Sequence, residues 1–184
     1  MDVRTTALPE VKILTPRRFG DARGYFCETW NAPQMAAAGL GFNFVQDNES
    51  LSAQKGTLRG LHYQAPPFAQ TKLVRCARGA IIDVAVDARR NSSNFGRWVS
   101  EEISAQNGAQ LLVPRGFLHG FVTLTHDTLV IYKVDNVYDA ASDGAVVWND
   151  LDLGIDWGVA ADDVVLSDKD RKAPAFRDWL SPFE

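Results

Sequence analysis

Residues 108–123, GAQLLVPRGFLHGFVT, read as two short apolar runs, QLLVP and the start of GFVTLT, with turn-forming Pro114 and Gly116 between them. The same rhythm extends in both directions through VKIL, GYFCETW, FNFVQDNES, TLRGLHYQ, KLVRCA, AIIDVAVD, RWVSEEIS, TLVIYKV and AVVWND. Counted together these are about eleven strands, and helical periodicity is scarce. Two helices are expected, one over NAPQMAAAG (31–39, closed by Gly39) and a second, short one near DKDRKAPAFRDWL (168–180). Parallel sheets need helical crossovers between strands, so this pattern predicts an all-β, antiparallel sandwich or jelly roll. With no repeat or linker, residues 1–184 are expected to form a single domain.

A net charge of -4 argues against a general nucleic-acid binder, although a local basic pocket for a small anion is compatible with it. Residues 1–20, MDVRTTALPEVKILTPRRFG, lack a signal-like apolar stretch, and nowhere do about 18 apolar residues run together. A cytoplasmic protein without membrane contact is expected. Cys27 and Cys76 cannot build a disulfide framework or a zinc ribbon and are expected to be small buried hydrophobes.

No phosphate loop, nucleophile elbow or metalloprotease helix occurs, so the chemistry must come from scattered strand residues. Of the three histidines, His126 lies in the turn-like THDT, whereas His62 and His119 lie in patterned stretches. Gly108, Pro114, Gly116 and His119 follow the spacing of the second cupin motif. HYQAPPFAQTKLVRCARG (62–79) resembles the first, with Gln64 at its second histidine position and Lys72 at its glutamate position. An ammonium in a carboxylate's place repels a divalent cation, so no metal is expected. Lys72 can instead stabilise an oxyanion on a bound carbonyl. In a strand His62 and Gln64 share a face and Arg59 falls on the other, unless Gly60 supplies a bend.

Read together, FGDARGYFCE, FVQDNES, GTLRGLHYQ, KLVRCARGAIIDVAVD, VPRGFLHGF, YKVDNVY, WNDLDLGIDW and LSDKD resemble the dTDP-4-dehydrorhamnose 3,5-epimerase family, nearly end to end. The resemblance implies a cupin-type jelly roll, a dTDP-sugar substrate and no cofactor. It makes His62 the general base, Tyr132 the general acid, Lys72 the group beside the keto oxygen and Asp170 the partner that orients His62, with Asp168 a second carboxylate close by. Arg23, Glu28, Gln46, Asp47, Asn48, Arg59, His119, Asp143 and Lys169 match positions that bind the nucleotide sugar. Asp143 departs from the family's usual Glu. A homodimer is also implied, with Arg23 and Glu28 reaching the partner's site. Its circumstantial support in the sequence is the apolar edge that VKIL and GYFCETW leave exposed.

The implied reaction suits these residue types. Hydrogens on carbons 3 and 5 of a 4-keto sugar are α to a carbonyl and leave as protons if the enolate is stabilised. Inversion needs a base on one face and an acid on the other. Histidine, with a reference pKa of about 6.5, serves as the base, and tyrosine, near 10, as the acid. Arg23, Arg59 and Lys169 suit the diphosphate. Tyr138, or more weakly Phe26, offers a face to thymine. Alternative readings are an epimerase that inverts one carbon or acts on another deoxysugar, a metal-dependent cupin and a non-catalytic sugar-binding cupin.

Overall fold

The computed structural model describes residues 1–184. Its strands are β1 (Asp2–Thr5), β2 (Lys12–Thr15), β3 (Arg18–Asp21), β4 (Gly24–Cys27), β5 (Gln46–Ser52), β6 (Leu58–Gln64), β7 (Lys72–Arg78), β8 (Ala80–Asp87), β9 (Trp98–Ser104), β10 (Gln110–Val113), β11 (Phe117–Thr123), β12 (Thr128–Val134) and β13 (Asp143–Ala145). The helices are α1 (Ala32–Ala37) and α2 (Asp168–Arg171). A six-stranded sheet, ordered β1-β2-β10-β7-β12-β5, faces a five-stranded sheet, ordered β13-β6-β11-β8-β9, and β3 and β4 form a separate hairpin. Every strand pair is antiparallel, as the short apolar runs predict. The architecture is the expected cupin-type jelly roll.

Strand alternation decides what meets between the sheets. Tyr132 pairs with Val74 on β7 and Asn48 on β5, so Lys72, Val74, Cys76, Val130, Tyr132, Gln46, Asn48 and Ser50 share one face. Against it the five-stranded sheet presents Ile81, Ala85, Phe117 and Phe121, which join Val74 and Val130 in one buried cluster. Full burial of each such valine, isoleucine or phenylalanine side chain contributes about 1.5–3 kcal/mol. A second cluster, including Leu58, Leu61, Val84, Leu118 and Trp157, lies under the C-terminal segment. Both clusters hold the central strands in register, and the polar residues of the site hang from those strands.

Both expected helices form. Asn31 caps α1 by accepting the Gln34 N–H at 3.1 Å, and buried Met35 anchors the helix beside Leu14, Leu73 and Leu112. The short helix expected near 168–180 is α2, which stops at Arg171 because Pro174 lacks an N–H and restricts the residue before it; a 3₁₀ turn, Phe176–Asp178, follows. AVVWND is not a strand. Only Ala145 pairs within β13, and Val146 exchanges hydrogen bonds with Leu61 before the chain turns away. Cys76 is buried as expected, whereas Cys27 is only half-buried. The VKIL strand leaves no open edge either, since β2 is paired on both sides by β1 and β10. Among the exposed apolar side chains, Phe19, Tyr25 and Phe26 fall together on the β3–β4 hairpin.

Candidate active site

β6 carries the first wall of a cavity of about 450 Å³ lined by Arg59, His62, Lys72, His119, Tyr132, Lys169 and Asp170 among others. Arg59 and His62 are three residues apart and would point to opposite faces of a regular strand. Gly60 removes the conflict. Its φ of +141° is open to glycine, and the β6–β11 register shifts between His119 and Phe121, so both side chains reach the cavity. A Cβ on Gly60 would lie 2.6 Å from the Gly120 Cα, a backbone atom that cannot swing aside.

His62 Nε2 lies 2.5 Å from Asp170 Oδ1. A carboxylate only accepts, so Nε2 carries the proton and Nδ1 is left with the lone pair. α2 supplies the carboxylate in the right place because Ser167 caps it: Ser167 Oγ accepts the Asp170 N–H at 3.1 Å and donates to Asp170 Oδ2 at 2.7 Å. Asp170 is 3% exposed, whereas the Asp168 side chain is 91% exposed. The choice between the two carboxylates therefore falls on Asp170. Burial by itself raises its pKa, but hydrogen bonds from His62 and Ser167 hold it below the usual carboxylate range.

Lys72 and Tyr132 come from the opposite sheet. Burial pushes the Lys72 ammonium down to about 8, against the nearby carboxylates of Asp143 and Asp83, which favour its charge. Burial also raises the Tyr132 phenol, with Arg59 opposing, so it remains protonated at neutral pH. At the rim, Lys169 donates to the Asp143 carboxylate, and Tyr138 lies with its hydroxyl 3.5 Å from Asp143 Oδ2. The shorter Asp143 thus still closes an ion pair. Gln46 accepts the Tyr138 N–H at 3.2 Å and donates to Asn48 at 2.8 Å. Arg59 donates to Ser52 Oγ and the Leu51 carbonyl, each at 3.3 Å.

Of the expected binding residues Arg59, His119 and Lys169 line this cavity, Gln46, Asn48, Tyr138 and Asp143 lie outside its lining, and three more are engaged elsewhere. Asp47 points to the other face of β5, as the two-residue period requires, and takes the Lys133 ammonium at 2.8 Å. Arg23 pairs with Asp21 at the hairpin tip, and Glu28 accepts from Asn31 and Gln34. Phe26, the weaker partner expected for thymine, is 66% exposed on the same hairpin.

A metal does not fit these residues. No three His, Cys, Asp or Glu side chains converge. Gln64 uses its amide on the Phe68 and Val137 carbonyls and the Asp139 N–H, bracing the loop that carries Tyr138, and Lys72 is a cation.

The sequence reading missed Asp83. This β8 carboxylate is fully buried, and its Oδ1 lies 2.6 Å from His119 Nε2. Its only signal in the sequence is an acid flanked by apolar residues on both sides in AIIDVAVD.

A cavity with a carboxylate-held imidazole on one sheet and a half-buried phenol and ammonium on the other has the groups to take a proton from a ligand and return one from across it, chemistry of the kind that cupins of isomerase type perform. The comparisons narrow this class. Residues 5–178 match the family described as dTDP-4-dehydrorhamnose 3,5-epimerase, and the chain belongs to that family. It is 52% identical to the dTDP-4-dehydrorhamnose 3,5-epimerase of Sinorhizobium fredii, over 95% of this chain and 89% of that one. The crystal structure of the Bacillus anthracis epimerase with TDP and PPi bound is similar at 49% identity and a TM-score of 0.92, covering 95% of this chain and 99% of that chain. The Legionella pneumophila dTDP-6-deoxy-D-glucose-3,5-epimerase in complex with dTDP-4-keto-L-rhamnose is similar at 40% identity and a TM-score of 0.91, covering 96% and 93%. No helix is long and apolar enough to cross a membrane.

Proposed function

We propose that the chain converts dTDP-4-dehydro-6-deoxy-D-glucose to dTDP-4-dehydro-L-rhamnose, inverting carbons 3 and 5, with residues 1–184 serving one site. The observation that carries the proton mechanism is the placement of His62 on β6 and Tyr132 on β12, in opposite walls of one cavity. His62 Nδ1 takes the proton α to the ketone, and the electron pair moves onto the carbon 4 oxygen as an enolate. Lys72 stabilises that oxyanion. Tyr132 delivers its phenolic proton to the opposite face of the carbon, the enolate returns to the ketone, the phenolate recovers a proton from solvent, and the His62 imidazolium releases its proton to solvent. Asp170 holds the His62 tautomer and stabilises the imidazolium. The step needs no cofactor. Arg59 and Lys169 suit the diphosphate, His119, Gln46 and Asn48 the sugar and nucleoside, and Tyr138 the thymine ring. Incubation of the protein with the keto sugar, followed by NMR of the product, tests the assignment: inversion of both centres is expected, and a product inverted at one carbon contradicts it.

The charge on Lys72 gives a pH dependence. A lysine with its pKa lowered to about 8 is an ammonium below that pH and loses its charge as the pH rises through it. kcat/KM should therefore fall on an alkaline limb near pH 8, and the residual activity of Lys72→Met should lack that limb.

The protein is a homodimer in this reading. Phe19, Tyr25 and Phe26 are 52%, 58% and 66% exposed on a hairpin whose strands pair with neither sheet, an apolar surface that a second copy covers. Arg23 and Glu28 on or beside that hairpin then serve the partner's cavity. Light scattering at micromolar concentration should give twice the chain mass, and a fully active monomer contradicts the arrangement.

A further inference from the structure

Asp83 is a carboxylate in an apolar interior. Its neighbours on the inward face of β8 are Ile81 and Ala85, and it stands opposite Phe121 on β11. It is 0% exposed, and Oδ2 has no hydrogen-bond partner. Burying a charge so poorly satisfied is costly, and stability alone gives no reason to keep it. Asp170 is different, since both its oxygens are engaged. The one protein group that Asp83 holds is the His119 ring, which pairs across the strands with His62 and lines the same cavity.

We infer that Asp83 is a positioning residue: it fixes His119 with the proton on Nε2, so that Nδ1, which has no protein partner, accepts a hydrogen bond from a hydroxyl of the bound sugar ring. The chemistry follows from the acceptor-only carboxylate, which admits only an N–H at 2.6 Å and so leaves the other ring nitrogen of a neutral imidazole as an acceptor. The cavity then contains two carboxylate–histidine pairs with different work. The His62 pair moves protons, and the His119 pair holds the sugar while they move. This assignment rests on the substrate and site proposed above.

With only three histidines in the chain, their ring nitrogens can be assigned by ¹⁵N NMR. His119 should show the Nε2–H tautomer with a slowly exchanging, far-downfield ring proton, and this proton signal should be lost in Asp83→Asn. The same variant should lower kcat/KM for the dTDP-sugar roughly ten- to hundredfold, the loss expected when the carboxylate that orients a functional histidine is removed. Its affinity for dTDP alone should stay at the parent value. Assayed well below pH 8, where Lys72 keeps its charge without help from the Asp83 carboxylate, Asp83→Asn should cost nothing more in a His119→Ala background, because the carboxylate then acts only through that ring. A His119 ring protonated only on Nδ1 in the parent protein overturns the inference whatever the variants do. Losses that multiply in the double variant, an Asp83→Asn enzyme with parent kcat/KM, or dTDP binding weakened as much as turnover also overturn it. If His119→Ala itself keeps parent kcat/KM, the reading of His119 as a sugar contact falls first and takes this inference with it.

Discussion

His62→Ala is expected to lower kcat by about a hundredfold or more, the share that a positioned base contributes. The substitution removes the only group in the cavity that combines an unprotonated ring nitrogen with a carboxylate placed to receive the imidazolium charge, apart from His119. His119 cannot take over if Asp83 has committed its ring to the sugar. Asp170→Asn is a milder version of the same damage: the ring remains, but the amide can donate to Nε2 and turn the lone pair away from the substrate. Measuring kcat for both variants, with dTDP binding as the check on folding, separates loss of the base from loss of its orientation. A His62→Ala enzyme within threefold of the parent would mean that the base lies elsewhere.

Gly60→Ala carries the largest expected loss of stability. A Cβ there needs a φ of +141° that side chains avoid, and it meets the Gly120 Cα at 2.6 Å. Backbone strain and overpacking together cost roughly 3 kcal/mol or more. In a chain of this size that lowers Tm by roughly 10 °C. Relieving the contact means parting β6 from β11, which separates His62 from His119, so activity should fall with stability. Gly154→Ala is the control. Its φ is +57°, and nothing lies closer than 3.9 Å, so only the backbone preference is lost, about 1 kcal/mol. If Gly60→Ala melts no lower than Gly154→Ala, the close approach of the two strands does not matter as described.

How much of this was legible in the sequence follows from what each segment buries. β7, β8, β10, β11 and β12 pack apolar side chains into the interior, so their composition announces them. β1 and β3, DVRT and RFGD, bury almost nothing, and no pattern marks them. AVVWND has strand composition because Val146 and Trp148 are buried, yet most of it packs as irregular chain under the C-terminal segment. Within the site, His62, Lys72 and Tyr132 carry their chemistry in their identity and could be named from motif and resemblance. Asp170 could not be separated from Asp168 before the Ser167 cap showed which one turns inward. Asp83 gains its meaning only from the β8–β11 register, which sets it beside His119 across two strands. Asp47 shows the converse, since a motif match placed it with Gln46 and Asn48 while the strand period turns it to the other face.

The two-sided transfer of a proton is tested most directly by solvent label. In deuterated water the parent enzyme should place deuterium at the inverted carbons. His62→Ala should incorporate none, because no group remains to remove the first proton. Tyr132→Phe keeps the base and the Lys72 ammonium, so it should exchange label at the carbon α to the ketone while forming little epimer. Exchange in His62→Ala as fast as in the parent, or full inversion in Tyr132→Phe, would contradict a mechanism in which one wall takes the proton and the other returns it.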